Sequence, residues 1–146
     1  MKVIALDIGD SSIGIAISDE LNVIASPFGT YKRKSKMEDV SFFKSLIEQN
    51  NSNVVVVGLP LDLYGQIGDQ AKKVIKYINF LKKYLDVNFI YIDERYTTSL
   101  ANRTLIQTNT KKGKQKGIED SLAACFILET YFSKNKKGDL CQKQDL

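Results

Sequence analysis

The chain has 146 residues, a formal net charge of +4, 43% hydrophobic and 10% aromatic residues, two prolines and no histidine. That length suits one domain with a real core, and the composition excludes fibrous and disordered classes. No apolar run approaches the ~20 residues that span a bilayer, so the expected compartment is the cytoplasm. Without histidine there is no imidazole base, zinc ligand or triad member, so chemistry on phosphate esters would fall to carboxylates and metal ions.

In chain order, residues 2–7, 13–18 and 22–28 read as three short strands separated by Gly-Asp-Ser-Ser and Asp-Glu-Leu-Asn, both turn-forming sequences. Strands this close predict an antiparallel meander. Lys32, Arg33, Lys34 and Lys36 follow as a basic cluster. Residues 37–49 then place Val40, Phe43, Leu46 and Ile47 at helical spacing, with Asn50, Asn51 and Ser52 as the stop. The run 54–57 is four consecutive valines, the pattern of a strand covered on both faces, ended by Gly58-Leu59-Pro60.

Residues 68–85 carry an apolar stripe of Ala71, Val74, Ile75, Ile78, Leu81 and Leu85, with the lysines largely off it, which predicts an amphipathic helix. Another buried-strand pattern over 87–92 runs straight into Asp93-Glu94-Arg95. A helix over 98–107, a lysine-rich loop with Lys111, Lys112, Lys114 and Lys116, and a last helix over 119–132 complete a single domain of residues 1–133, with a polar tail at 134–146. Cys125 and Cys141 are too few for a disulfide framework or a thiolate zinc site. The order β-β-β-α-β-α-β-α-α predicts an α/β fold of ribonuclease H-like type: a three-strand antiparallel meander plus two parallel strands, with helices on both faces.

Three acids of this chain are placed to meet. Asp7 ends the first strand and Glu94 follows the last one; in a sheet whose later strands run parallel to the first, those ends share one edge, where open α/β sheets carry their sites. On the final helix, Asp120 shares a face with Ala123, Ala124, Ile127 and Tyr131 at 100° per residue, whereas Glu129 lies opposite. A carboxylate on a core-facing stripe is costly unless paired or metal-bound. Three converging carboxylates favour Mg²⁺ or Mn²⁺, and two such ions could hold a phosphodiester between them. Each residue also has a plainer explanation. Asp7 could close an acidic hairpin turn, Asp120 could be a helix-start residue beside its own amides, and the lysine runs could be solvated loops rather than contacts to a polyanion. Asp10 and Asp19 read as turn residues, Asp62 as a loop aspartate before an extra ligand, and Gly65 and Gly68 as turn and helix-start glycines. Arg95 could clamp a phosphate or pair with Asp93.

Taken together, ALDIGDSSIGIAISDE, VVGLPLDLYGQIGDQA, DERYTTSLAN and EDSLAACFILETYF, in this order, resemble the YqgF-type family of pre-16S rRNA nucleases, which are Holliday-junction-resolvase-like members of the ribonuclease H-like superfamily. The resemblance covers about residues 2 to 132. It implies an acidic, metal-binding and catalytic site of Asp7, Glu94 and Asp120, with Mg²⁺ or Mn²⁺ in a two-metal arrangement. It also implies hydrolysis of phosphodiesters in structured nucleic acid, at the 5′ end of pre-16S ribosomal RNA. Arg95 and Lys111, Lys112, Lys114 and Lys116 are the expected nucleic-acid contacts; Asp93, Thr97 and Thr98 match the pattern around Glu94. Expected partners are structured RNA or branched DNA and ribosomal particles, with no membrane, for a monomer or weak homodimer. Two departures stand out: Glu119 sits where relatives carry an aliphatic residue, and the strand ending at Gly58 lacks the acid that junction resolvases place there. The alternatives are a Holliday-junction-type DNA resolvase and a non-catalytic nucleic-acid-binding factor of ribosome or transcription. Asp7-Ile8-Gly9 with Ser11-Ser12 also resembles the first phosphate loop of actin-like ATPases, but no second such loop follows.

Overall fold

The computed structural model describes residues 1–94 and 115–136, with the side chains of 115–120 and 136 outside the description. Five strands form one sheet: β1 (Val3–Ile8), β2 (Ser12–Ser18), β3 (Ala25–Lys32), β4 (Val54–Leu59) and β5 (Asn88–Asp93), in the order β3-β2-β1-β4-β5. β1, β2 and β3 pair antiparallel, whereas β1, β4 and β5 run parallel. This is the meander plus two parallel strands that the sequence predicts. Helices α1 (Lys36–Gln49) and α2 (Asp69–Lys82) are the crossovers around β4, and α3 is Gln115–Lys136. The predicted helix over 98–107 lies outside the described residues. Among the described residues no helix is long and apolar enough to cross a membrane.

Period-two alternation sends successive side chains of each strand to opposite faces, and the two faces have separate cores. On one, Ile4, Leu6, Ile13, Ile15, Val55 and Val57 pack under Val40, Phe43 and Leu46 of α1 and Val74, Ile78 and Leu81 of α2. On the other, Val3, Ala5, Ala16, Val56 and Ile92 pack under Ala124, Cys125, Ile127, Leu128 and Phe132 of α3. Small residues on the second face, Ala5 and Ala16 with Ala124 opposite, leave room for α3 to lie close to the sheet. Each fully buried Ile, Leu or Val contributes about 1.5–3 kcal/mol of transfer free energy, so the four-valine run of β4 between the two cores anchors the sheet.

Several boundaries differ from expectation, among them the end of β3 at Lys32, four residues past the expected 28, which takes Lys32 into the strand. β3 begins at Ala25 rather than 22 because residues 19–24 close into a turn. The Asp19 carboxylate accepts from the Val23 and Ile24 amides at 2.7 and 2.9 Å, and Asn22 sits at φ 57°. Asp19 is therefore a turn residue, as its sequence context predicts. β3 is an edge strand that tolerates Pro27 beside a bulge, where the register with β2 shifts between Ile15 and Ala16. α3 begins at Gln115, four residues earlier than expected, and takes Lys116 out of the loop; Gly117 weakens a helix by about 1 kcal/mol without ending it. It also runs to Lys136, three residues into the expected tail. Cys125 is buried and free, and burial pushes its thiol up to about 12, which keeps it unreactive.

Asp39, in the first turn of α1, carries no special signal in the sequence, yet it is 1% exposed. Tyr31 and Tyr77 donate to its two carboxylate oxygens at 2.7 and 2.8 Å, and the Lys34 amide donates at 2.9 Å. This buried anion therefore joins β3, α1 and α2. Burial and the negative charge of Asp39 push the Tyr31 phenol up to about 12 and the Tyr77 phenol higher still. Removing the anion leaves two phenols facing an unfilled acceptor position, whereas removing one hydroxyl leaves the carboxylate two other donors. Asp39→Ala should thus destabilise the protein by about 3 kcal/mol and Tyr77→Phe by about 1–2, read from urea unfolding midpoints at constant m-value.

Candidate active site

β1 and β4 are parallel neighbours with Leu6 level with Val57, which puts Asp7 alongside Gly58. Alternation places Asp7 on the face of Val3 and Ala5, beneath α3, and the turn through Gly9 follows at once. That turn is tight: the Gly9 amide donates to the Ser12 carbonyl at 2.8 Å, and a Cβ on Gly9 would lie 2.7 Å from the same oxygen. β5 is level with β4 through Gly58 and Ile92, then Leu59 and Asp93. Its exit is held because the Glu94 amide donates to the Leu59 carbonyl at 3.1 Å. The carboxyl ends of β1, β4 and β5 thus form one edge, and Asp7 and Glu94 both stand on it.

Their side chains meet. The Glu94 carboxyl lies within reach of Asp7, so ionising both groups together is disfavoured. Burial first, then the hydrogen bond and charge of Asp7, then the charge of Asp93, push Glu94 up to about 8. The Glu94 carboxyl has this position because residue 58 has no side chain. A Cβ there would fall 2.6 Å from Glu94 Oε1, 2.8 Å from Glu94 Cγ and 2.5 Å from Ile127 Cδ1. Gly58 is the seat of the glutamate, walled on its far side by Ile127 of α3. The missing acid at the end of the valine run and the glycine that stands there are one feature, since an acid at 58 would fill the space Glu94 uses.

Asp120 lies in the helical backbone of α3, seven residues before Ile127, a spacing that returns to the same helix face. Its side chain, and those of Glu119 and Lys116, lie outside the description; Arg95, Thr97, Thr98, Lys111, Lys112 and Lys114 lie outside the described residues altogether. Among the described residues no set of three acidic or thiol side chains comes together as a cation site; Asp7 and Glu94 are two. Asp62 is a loop-bracing residue, its Oδ1 accepting from the Tyr64 and Gln66 amides at 2.9 and 2.8 Å. Gly65 has φ 78° in that loop and Gly68 stands at the N-cap of α2.

The sequence groups Arg33 with the basic cluster, and the structure gives it intramolecular partners. Its guanidinium donates to the Gly9 carbonyl at 2.7 Å and lies over the Tyr77 ring at 4.1 Å, while its amide donates to the Ser11 carbonyl at 2.9 Å. It is a brace that ties the turn after Asp7 to α2. A lone arginine in a lysine run carries no sequence signal of this role, because the partner ring is 44 residues away.

The family described as Holliday junction resolvase (RuvX) matches residues 1–134. A curated relative from Caldanaerobacter subterraneus subsp. tengcongensis, named "Putative pre-16S rRNA nuclease", is 42% identical over 139 residues, 94% of this chain and 100% of the relative. One of the same name from Clostridium kluyveri is 34% identical over 137 residues, again 94% of this chain and 100% of the relative. Among solved structures, T. thermophilus RuvC in complex with Holliday junction substrate superimposes with a TM-score of 0.60 at 12% identity, covering 95% of this chain and 98% of that one. The fowlpox virus Holliday junction resolvase gives 0.54 at 18%, covering 92% and 99%. At such identities the likeness is one of fold, and it places the mixed sheet among the ribonuclease H-like folds. The family match over nearly the whole length, the relatives matched end to end and the shared fold agree: the chain belongs to the RuvX, Holliday junction resolvase, family.

Proposed function

We propose that this protein is a divalent-metal-dependent endonuclease that hydrolyses phosphodiesters of structured nucleic acid in the cytoplasm, with the 5′ end of pre-16S ribosomal RNA as its substrate. The observation that carries the reading is the Asp7–Glu94 carboxyl pair at the carboxyl edge of the parallel strands, with Glu94 seated over Gly58. Relatives matched over their full length carry pre-16S rRNA nuclease in their name, which favours RNA over a DNA junction.

The two carboxyl groups fit a hard cation. They are all-oxygen donors, neighbours on one edge of the sheet, and buried enough that a positive charge is favourable beside them. Asp7 and Glu94 would hold Mg²⁺ or Mn²⁺, with Asp120 as the third ligand, in a two-metal arrangement. Bound there, the ions would supply a lowered pKa for an attacking water and positive charge for the leaving oxygen. The chain's own part is positional. β1 and β5 deliver the two carboxylates in register, Gly58 gives Glu94 its seat, Ile127 screens one side from water, and Arg33 fixes the turn that follows Asp7. Arg95 and the lysines at 111, 112, 114 and 116 are the proposed contacts to phosphate.

Asp7→Asn should lower Mg²⁺- or Mn²⁺-dependent cleavage of a pre-16S RNA fragment by more than ~100-fold, since even residues that only support a metal ligand cost 10–100-fold. Its circular dichroism should match the parent; undiminished cleavage would remove Asp7 from the site. A four-way DNA junction in the same assay separates the resolvase alternative, which gains if the junction is cut and the RNA is not.

Gly58→Ala tests the seat without altering any charge. Its methyl displaces the Glu94 carboxyl, so cleavage should fall at least tenfold while overpacking costs about 1–3 kcal/mol of stability. Equal activity would show that Glu94 does not work from this position.

The pH dependence of the metal-free protein has a definite sign. Folding raises the proton affinity of Glu94 from an ordinary 4.5 to about 8, so ionising it penalises the native state. Its contribution is favourable below pH 4.5 and is lost as pH rises from there to about 8. Melting temperatures in EDTA should therefore fall across that window relative to Glu94→Gln, and added Mn²⁺ should release protons at neutral pH.

A further inference from the structure

The face of the molecule covered by α1 and α2 holds a groove of about 430 Å³, bounded by Lys36 at the start of α1, by Lys72, Ile75, Lys76, Asn79 and Phe80 on α2, and by Lys83 at its C-cap. The residues from 72 to 83 recur at i, i+3, i+4, i+7, i+8 and i+11, one stripe of the helix beside the buried one. From Lys72 to Lys83 that stripe is ~16 Å long at 1.5 Å per residue. All four lysines are exposed, and among the described residues no ion pair joins any of them to a carboxylate. The Lys36 ammonium lies 5.2 Å from the centroid of the Phe80 ring, which forms the apolar floor, and Tyr84 packs beside that ring at 5.3 Å.

The groove is connected to the candidate active site. Arg33, three residues before Lys36, donates to the Gly9 carbonyl in the turn after Asp7 and lies on the ring of Tyr77, the neighbour of Lys76. Lys32 and Lys34 are exposed on either side of it. Exposed lysines therefore stand at the exit of β3, at the first residue of α1, where Glu38 is also exposed, and along α2. A second copy of the chain related by a two-fold axis would bring these lysines against each other, which disfavours self-association here. A duplex presents one phosphate per ~3.4 Å of axis on each strand, so a 16 Å row of lysines faces about five phosphates of one strand.

We propose that this groove is a second docking surface, which takes the sugar–phosphate backbone of a double-helical arm of the substrate while the segment to be cut lies at the Asp7–Glu94 pair. It rests on the nuclease reading and extends it: the protein grips a stem beside the cleavage point and measures position from it. Single strands without the stem reach the active site but not the groove.

The test is the variant Lys72→Gln, Lys76→Gln, Lys83→Gln in the full chain, whose exposed positions leave the melting temperature unchanged. Binding is measured in EDTA by anisotropy across KCl concentrations, with a hairpin RNA carrying a single-stranded flank and with the flank alone. For the hairpin, the slope of log K against log salt should fall by about 2–3, near 0.9 for each phosphate that no longer meets a lysine, while binding of the flank is unchanged. Cleavage of the hairpin should show a raised KM with kcat retained. An unchanged hairpin slope overturns the proposal and leaves the nuclease reading standing. Polyglutamate of equal charge displacing the hairpin as well as RNA does overturns it in favour of an acidic protein partner. A lowered slope with no cleavage by either protein keeps the docking surface and ends the nuclease reading, and failure of the parent to bind the hairpin ends both.

Discussion

Two carboxylic acids held together inside a protein repel once both are ionised, and this chain is built so that Asp7 and Glu94 have nowhere else to go. The backbone of β1 carries Asp7 to the end of a central strand, and β5, two strands away, delivers Glu94 to the same level. Gly58 on the strand between them removes the one side chain that would stand in the way. Burial and the neighbouring charge of Asp7 raise the proton affinity of Glu94, the direction expected of acids that cannot both ionise at low cost. On the proposed reading, a divalent ion bound there would offset the repulsion that the two acids feel in its absence.

Rigidity around that pair comes from a second buried anion rather than from the pair itself. Asp39 draws the hydroxyls of Tyr31 and Tyr77 onto its two oxygens, so β3, α1 and α2 share a joint. Tyr77 in turn presents its ring to Arg33, and Arg33 reaches the carbonyl of Gly9, two residues past Asp7. The linkage from Asp39 through Tyr77 and Arg33 to Gly9 thus lets the helical face of the sheet set the turn that frames the acidic site on the other face. Buried charge is costly, and at Asp39 two phenols and an amide offset the cost.

Much of the architecture is legible because its signals are local. Four successive valines mark a strand covered on both faces, a 3.6-residue stripe marks α2, and Asp-Glu-Leu-Asn marks a turn, so the strand order and the crossovers follow from adjacency and handedness. Legibility fails where a side chain acts at long range. Asp39 looks like any first-turn acid, and Arg33 looks like one more cation in a lysine run. The alternation pattern starts β3 three residues too early because Asp19 caps two amides that the pattern would give to the strand. α3 starts earlier than its sequence suggests because a glycine lowers helix stability without forbidding it.

The sequence by itself determined the sheet, its covering helices and the kind of chemistry open to a chain without histidine, because hydrophobic periodicity and composition act residue by residue. The sequence put Asp7 and Glu94 on one edge; how their side chains come to face each other was decided by the tertiary structure. The encounter of Asp7 with Glu94 depends on register between strands far apart in the chain and on empty space over Gly58, and neither is a property of any short stretch. Register comes from the packing of the whole sheet against its helices, so only the folded molecule can show that a missing side chain at residue 58 is what lets a carboxyl at residue 94 reach its partner.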